Sequence, residues 1–257
     1  GTLDASLIDI SNGEVAADSD CQQFVEQLKE EVSSQGNFVI GSSEVDLTIY
    51  DAAGKRIVRK QESNLGDFCT DALRAFTGAD IAMINGGGIR ADIKRGEILF
   101  NDLYNVMPFG DMIATGTLTG AQLLDVLEFA VSALPAEAGT FMQVSGLRFK
   151  VNANIPSPAV KHEETGMFSH IGTGERRVAQ EEVLDKQSGE WRAVENARQY
   201  TVATLDYLIL EQGGSGILSC VQPDSTYYGA EIEILRHYLE TNLGGTIGTE
   251  YAKPQDR

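Results

Sequence analysis

The amino-acid sequence predicts an α/β protein in which mixed β-sheets pack against helices. Several segments place apolar residues at helical spacing, and short apolar or alternating segments typical of strands lie between them. The length of 257 residues, 42% of them hydrophobic, is sufficient for a sizeable core. No segment approaches the roughly 18 consecutive apolar residues of a membrane-spanning helix.

The charge balance narrows the classes of partner. The chain has 20 Lys and Arg against 38 Asp and Glu, which gives a net charge of −18. Because such a chain repels polyanions as a whole, neither nucleic acid nor an anionic membrane surface is expected as a general partner. An anionic ligand would need a local cluster of positive charge.

The first 40 residues are predicted to form an acidic connector segment, and residues 41–257 to form one domain. A single basic residue stands against eleven acidic ones in the first 54 residues. Asp20 is a candidate N-cap, and apolar residues then recur at helical spacing as far as Gly36. This pattern predicts a helix over residues 20–35.

The elements of the domain follow from similar patterns. Apolar residues between Leu65 and Phe76 share one face of a helix that Gly78 ends, and Thr119 with Gln122 forms a capping box at the start of another helix. Period-two alternation or short apolar segments predict the strands. These are Asn37–Ile40, Val45–Tyr50, Asp80–Ile84, Leu147–Val151 and Tyr200–Thr204.

The last hundred residues carry weaker signals. Residues 152–194 are polar and weakly periodic, so long loops and edge strands are expected there. A last helix is predicted around Ile232–Leu239 and is closed by Gly244 and Gly245. No repeat or clear linker interrupts the domain, which favours one mixed α/β unit.

Three consecutive glycines, residues 86–88, directly follow a predicted strand. Without side chains, their backbone N–H groups could approach a ligand closely. The spacing formally matches a dinucleotide-binding fingerprint, but that fingerprint requires a helix next, and residues 89–93 alternate as extended chain does. Two interpretations stay open: a structural turn, or a ligand loop completed by Arg90.

Arg59 and Arg90 are the candidate ligands for an anion, because each flanks a probable site element. A guanidinium group offers a planar fork of donors that fits phosphate or carboxylate oxygens. The alternative is a solvated surface with ordinary ion pairs. Arg59 lies in a cluster of four basic residues within an otherwise acidic chain, which favours the first interpretation.

Two aromatic residues lie in loop contexts rather than on a periodic face. Phe109 is flanked by Pro108 and Gly110, and Tyr207 follows a predicted strand. Two such rings can clamp a flat group such as a nucleobase by stacking. The alternative for each is an ordinary core aromatic residue.

Neither a metal site nor a catalytic group is predicted in this chain, and no cofactor is expected to bind it. The histidines lack metal-ligand spacings, and no nucleophile elbow, P-loop or paired-cysteine motif occurs. The residues considered are His162, His170, His237, Cys21, Cys69 and Cys220.

A series of short motifs follows in order along residues 41–220. The motifs are Glu62–Asp67, Ala79–Ala82, Asn85–Arg90, Pro108–Phe109, Leu118–Gly120, Ser145–Gly146, Tyr200–Thr204 and Gly213–Gly216. In content and order they resemble the C-terminal domain of the 5'-nucleotidase family, and the acidic helix before them resembles the connector between that family's two domains.

The resemblance implies the mixed α/β fold of that domain and a role in binding the nucleoside end of a substrate. The family's N-terminal calcineurin-like domain holds two divalent metal ions and the catalytic groups, and nothing in residues 1–257 resembles it. The expected partners are therefore a nucleotide or nucleoside and the N-terminal metallophosphoesterase domain of the same polypeptide. The family also implies a periplasmic or extracellular location, although no signal peptide is recognised in this chain.

By resemblance, Phe109 and Tyr207 match the two stacking aromatic residues, and Ser215 stands where the family usually has an aspartate that contacts the ribose. Two extra residues lie between Tyr207 and Gly213. The substrate-binding residues implied are Arg59, Asn85, Gly87, Gly88, Arg90, Phe109, Tyr207 and Ser215.

The expected function is therefore nucleotide or nucleoside binding within a protein that hydrolyses phosphate esters of nucleotides. One alternative is a non-catalytic nucleotide-binding or surface interaction module. Another is a family member that acts on cyclic nucleotides or UDP-sugars. A pair of stacking rings argues for a ligand with a base and against a sulfur-carrier substrate.

Overall fold

The computed structural model of the protein describes residues 18–209 and 215–257. The chain divides into two compact units, one ending at Phe38 and one formed by Val39–Arg257. In the first unit, helix α1 spans Ser19–Gly36. The Asp18 carboxylate accepts the N–H groups of Asp20 and Cys21 at 3.1 and 2.9 Å, so Asp18 caps this helix in place of the predicted Asp20.

A five-stranded mixed sheet forms the centre of the second unit. In spatial order its strands are β12 (Gln222–Ala230), β4 (Met112–Thr119), β11 (Gln199–Leu205), β2 (Ile81–Asn85) and β5 (Met142–Ser145). Strand β11 is parallel to β2 and antiparallel to β4. The other two pairings, β12 with β4 and β2 with β5, are antiparallel. The prediction of mixed sheets is confirmed.

Three smaller sheets accompany it among the residues that the structure describes. The first has the strand order β13 (Thr246–Ile247), β1 (Val39–Ser43), β3 (Gly96–Leu99). The second has the strand order β10 (Trp191–Ala193), β9 (Val178–Leu184), β6 (Leu147–Val151). The third pairs β7 (Ala159–Lys161) with β8 (Phe168–Ile171). Strand β9 is the middle strand of its sheet and buries Val178 and Val183, so the expectation of only loops and edge strands over residues 152–194 was wrong there.

In the described part of this unit, five further helices pack: α2 (Asn64–Thr77), α3 (Phe100–Val106), α4 (Gly120–Ala130), α5 (Asp206–Ile209) and α6 (Glu231–His237). A π-helical turn, Tyr238–Asn242, follows α6, and a 3-10 turn covers Thr249–Tyr251. Helix α2 ends where predicted, because Gly78 adopts the left-handed conformation with φ 68°. The predicted capping box of Thr119 and Gln122 starts α4. Within the described ranges, no helix has the length and hydropathy needed to cross a membrane.

The predicted strand Val45–Tyr50 does not form, and this stretch makes only isolated β-bridges, such as that of Leu47 with Ile93. The N–H groups of Thr48 and Ile49 are each donated at 2.9 Å to side-chain oxygens, those of Asn64 and Asp92. Side chains therefore take the place that a neighbouring strand would occupy, and the alternating pattern of buried residues persists without a ladder.

A group of carboxylates in α2 and just before it binds residues near the end of this sequence. The Gln255 N–H donates to Glu62 and to Asp67, both at 3.1 Å, and the Arg257 guanidinium pairs with Asp71 at 2.7 Å. Asp67 is fully buried. Burial, against the attraction of Arg257 and with the repulsion of Glu62 and Asp71, raises the pKa of Asp67 to about 8.

We expect the stability of the protein to depend on pH because of the titration of Asp67. An acid whose pKa rises on folding stabilises the folded state in its protonated form, so the contribution of Asp67 is complete below about pH 4 and is lost as the pH rises through about 8. Asp67→Asn removes the titration. Its melting temperature relative to that of the unsubstituted protein should therefore rise between about pH 6 and about pH 9.

Thermal unfolding at several pH values measures this difference. Glu163→Gln, on the exposed surface, makes the same change in net charge and serves as the control. A constant difference between Asp67→Asn and the unsubstituted protein across this range would contradict the prediction.

Candidate ligand-binding site

A cavity of about 320 Å³ opens beside the glycine turn. Its lining residues are Asn85, Gly87, Gly88, Phe109, Asp111 and Tyr207. Phe109 and Tyr207 are 59% and 36% exposed, whereas the aromatic side chains of the core are buried. Five of the eight predicted site residues therefore meet in one place. Asp111 was not predicted, because in a strongly acidic chain an acid gives little signal of a site, even two residues after Phe109.

The arrangement of three strands places these residues together. Strands β2 and β11 are parallel, with Ala82 level with Ala203, so both end at the same edge of the sheet. Strand β4 runs the other way, and its Ile113 pairs with Leu205, near the end of β11. The segments that follow β2 and β11 and the segment that precedes β4 therefore lie at the same edge of the sheet.

The N–H groups of the three glycines are all used within the protein. Gly86 donates to the carbonyl of Phe141 at 2.6 Å, Gly87 to that of Gly139 at 3.0 Å and Gly88 to that of Asn85 at 2.9 Å. The expectation that these N–H groups meet a ligand is therefore wrong for this structure. The turn is fixed by protein carbonyls, and no helix follows it, in agreement with the rejection of a dinucleotide-binding fold.

Close packing explains why glycine occupies these positions. A Cβ atom on Gly86 would lie 2.1 Å from the carbonyl oxygen of Val58, and one on Gly87 or Gly88 would lie 3.1 or 3.2 Å from an atom of the Asn85 amide. The Asn85 side chain therefore lies against the turn. Its Oδ1 is buried and accepts no hydrogen bond from the described residues, so it is an available acceptor at the cavity.

The segment that carries Arg59 is held against the turn by a buried glutamine. The Gln143 amide donates to the carbonyls of Val58 and Gln61 at 2.9 and 2.8 Å, and its oxygen accepts the Ser63 N–H at 3.0 Å. The Cα atom of Arg59 would be 3.3 Å from a Cβ on Gly86. The backbone of Arg59 thus packs directly under the glycine turn.

Both predicted arginines lie beside this turn. The Arg90 guanidinium is exposed and donates to the carbonyl of Gly87 at 3.2 Å. Arg59 Nε is buried and finds no acceptor among the described residues. Burial, and then the charges of Arg56 and Arg90, hold the pKa of Arg59 below its usual value. Two guanidinium groups close enough to influence each other form a local positive cluster in an acidic protein.

Ser215 lies elsewhere. It is buried, its hydroxyl accepts the N–H of Ile217 at 3.4 Å, and its carbonyl accepts the N–H of Phe168 at 2.7 Å. It is not among the described residues that line the cavity. Gly213 and Gly214 of the same motif lie outside the described residues.

Other parts of the described chain are weaker candidates for a ligand-binding site. A cavity of about 450 Å³ lies beside Lys60, Glu62 and Arg257, but none of the predicted site residues lines it. In residues 18–209 and 215–257, no three His, Cys, Asp or Glu side chains form a group that could hold a metal ion. The described residues therefore do not fit a resident metal.

Comparison with known proteins identifies the family to which this chain belongs. The profile of the family described as "5'-nucleotidase, C-terminal domain" matches residues 39–221. The chain is 36% identical over 139 residues to the trifunctional nucleotide phosphoesterase protein YfkN of Bacillus subtilis, an alignment that covers 52% of this chain and 9% of that protein. It is 30% identical over 138 residues to a 5'-nucleotidase of Vibrio parahaemolyticus, covering 54% of this chain and 24% of the relative.

Among solved structures, the crystal structure of a 5'-nucleotidase precursor from Thermus thermophilus superposes with a TM-score of 0.67 and 28% identity. The match covers 89% of this chain and 42% of that one. The chain therefore spans less than half the length of each of these relatives.

The packing of Gly86 against Val58 generates a test of the turn. Gly86→Ala places a methyl group on a backbone oxygen that cannot move independently, so the free energy of unfolding should fall by about 1–3 kcal/mol or more. Urea denaturation measures the change. Gly139→Ala is the matched control, because its Cβ would meet only Gly87 Cα at an ordinary 3.7 Å. Equal stability of the two variants would contradict this account of the turn.

Proposed function

Because the chain belongs to the family of 5'-nucleotidase C-terminal domains, we propose that it binds the nucleoside part of a nucleotide in the cavity beside the glycine turn. The cavity with two partly exposed rings on its walls is the observation that carries this proposal. Its volume of about 320 Å³ lies at the lower end of the range for small-molecule sites. A base stacked between Phe109 and Tyr207 would bury the exposed faces of both rings.

The polar side of the cavity supports binding of the rest of the ligand. The unsatisfied Asn85 Oδ1 is suited to accept a hydrogen bond from a sugar hydroxyl or a base amino group. Arg90 and Arg59 supply positive charge beside the turn for a phosphate group. Because Gly87 and Gly88 have no Cβ, the turn can pack closely against the Asn85 amide. A role for Ser215 at the ribose stays a prediction.

The whole protein is proposed to hydrolyse phosphate esters of nucleotides. Two divalent metal ions and the catalytic groups would belong to an N-terminal metallophosphoesterase domain, and this domain would orient the substrate for it. Residues 1–40 are proposed as the connector. The exposed apolar side chains of Phe24, Val25 and Leu28 on α1 are consistent with a segment that contacts another domain. Location in the periplasm or outside the cell is proposed on the family resemblance.

The aromatic pair is tested by adenosine binding to the 257-residue chain, measured by isothermal titration calorimetry. Phe109→Ala and Tyr207→Ala should each weaken binding by about 1–3 kcal/mol, because each removes one stacking face. Tyr207→Phe should cost little, since stacking uses the ring. The losses should be less than additive in the double variant, because a base that has lost one face is already mobile.

Tyr104→Ala is the control for this series, since Tyr104 is an exposed aromatic residue of α3 outside the cavity. D-ribose, which lacks a base, should bind the Phe109 and Tyr207 variants as it binds the unsubstituted chain. Failure of the unsubstituted chain to bind any nucleoside or nucleotide would refute the proposed function. Loss of affinity in Phe109→Ala alone would reduce the site to a single stacking face.

The positive cluster is tested by comparing AMP with adenosine. Arg90→Ala should weaken AMP binding by about 1–3 kcal/mol, the usual scale for a hydrogen bond to a charged group, and should weaken adenosine binding less. Arg95→Ala removes the charge of an exposed arginine that does not line the cavity and should leave both affinities unchanged. Unaltered AMP affinity in Arg90→Ala would assign Arg90 to the solvated surface.

A further inference from the structure

We propose that Asp206 and Glu231 are positioning residues that hold Phe109 opposite Tyr207 across the cavity. The inference rests on the proposed function, since it explains how the two rings would keep the spacing that a base requires. Neither carboxylate lines the cavity among the described residues. Both act on the backbone of the segment between Phe109 and β4.

The topology brings the two carboxylates to this segment from opposite sides. Strand β4 begins at Met112 and is flanked by β11 and β12. Strand β11 ends at Leu205, opposite Ile113, and β12 ends at Ala230, opposite Met112. The next residue along the chain in each case is an acid, and it is the first residue of a helix, Asp206 in α5 and Glu231 in α6.

Asp206 links the start of β4, three residues after Phe109, to Tyr207 in α5. Its Oδ1 accepts the N–H of Met112 at 3.1 Å and the N–H of Tyr207 at 2.8 Å. One carboxylate oxygen therefore joins the start of β4 to the residue that carries the second ring. It continues the ladder between β4 and β11 by one step beyond the last backbone pair, Leu205 with Ile113.

Glu231 holds the other side of the segment through two hydrogen bonds. Its Oε1 accepts the Gly110 N–H at 3.0 Å, and its own N–H donates to the Asp111 carbonyl at 3.0 Å. Glu231 is fully buried, and its Oε2 has no hydrogen-bond partner among the described residues. Gly110 has a left-handed backbone with φ 73°. The turn that presents Phe109 thus depends on a buried, charge-assisted hydrogen bond.

The environment of Glu231 makes this bond sensitive to pH. Burial, followed by repulsion from Asp111, raises the pKa of Glu231 to about 7, although the hydrogen bonds from the loop oppose the shift. From α2 the Cys69 thiol faces it, and burial raises the pKa of that thiol so that it stays neutral. The other acids on the elements packed against α6 are engaged elsewhere. On α2 these are Asp67 and Asp71, with the C-terminal residues; on α3 Asp102, with Leu99; on β12 Asp224, with Thr115; and on the π-helical turn Glu240, with Arg236. Glu233 is the other acid of α6 itself.

Protonation of Glu231 removes the charge that strengthens its bond to Gly110 and loosens the segment that carries Phe109. Adenosine affinity should therefore increase by about threefold to tenfold as the pH rises through about 7. Glu231→Gln keeps the shape and an acceptor oxygen but does not titrate, so its affinity should change little over the same interval.

The first experiment measures adenosine binding by calorimetry between about pH 6 and about pH 8.5, and follows the Gly110 amide by NMR in the same buffers. Glu128→Gln is the matched control, because Glu128 is also a buried carboxylate that accepts backbone N–H groups, those of Arg177 and Val178, and it does not line the cavity. It should retain the pH profile of the unsubstituted chain, and the Gly110 amide shift should titrate near pH 7 except in Glu231→Gln.

The second experiment compares Asp206→Ala with Asp206→Asn at one pH. Asn can still accept both N–H groups through Oδ1, so it should bind adenosine within about threefold of the unsubstituted chain, whereas Ala should lose about tenfold. Circular dichroism and thermal unfolding establish that each variant is folded. Rescue by Asn distinguishes positioning from a general loss of stability, since both substitutions remove the charge.

The outcomes separate the two proposals. If the unsubstituted chain binds no adenosine, the proposed function fails, and the titration of the Gly110 amide still decides whether Glu231 holds the turn. If adenosine binds but Asp206→Ala keeps its affinity and Glu231→Gln keeps the pH profile, the positioning role is refuted while the proposed function stands.

Discussion

The antiparallel pairing of β4 with β11 is the interaction on which the cavity depends. Because Ile113 pairs with Leu205, the start of one strand meets the end of the other at a single edge of the sheet. Strand β2, parallel to β11, brings Asn85 to that same edge. Consecutive residues of these strands are buried, so both faces pack in the core. A shift of the register by one residue would exchange the side chains on the two faces, so the packing of the core also fixes the position of the cavity.

Around this sheet, polar side chains form hydrogen bonds with the backbone of loops, as neighbouring strands do with each other within the sheet. Gln143 binds the backbone of the Arg59 segment in three places, and Asn64 and Asp92 bind the N–H groups of residues 48–49. Such bonds are strong only because both partners are withdrawn from water, and an unpaired group there is costly. The backbone that carries Arg59 is therefore held by the hydrogen bonds of Gln143, in a chain whose overall charge is strongly negative.

The differences between expectation and structure have physical causes. The pattern of Val45–Tyr50 is the same whether a strand or a side chain receives its N–H groups, and the sequence cannot distinguish the two. The glycine turn was correctly placed after a strand, but only the fold revealed that protein carbonyls use its N–H groups. Asp111 was overlooked because an acid within an acidic chain carries little signal. Ser215 was placed by motif alignment, which does not report where a side chain is buried.

The sequence by itself determined the α/β class, the capped ends of α2 and α4 and the family, because periodicity, capping and the order of motifs are expressed by neighbouring residues. It also singled out most of the residues that line the cavity. Only the tertiary structure decided that Phe109 and Tyr207 share one cavity with Asn85, and that Asp206 and Glu231 hold the segment between them. The reason is that these contacts arise from strand pairing between distant parts of the chain, which no local pattern encodes.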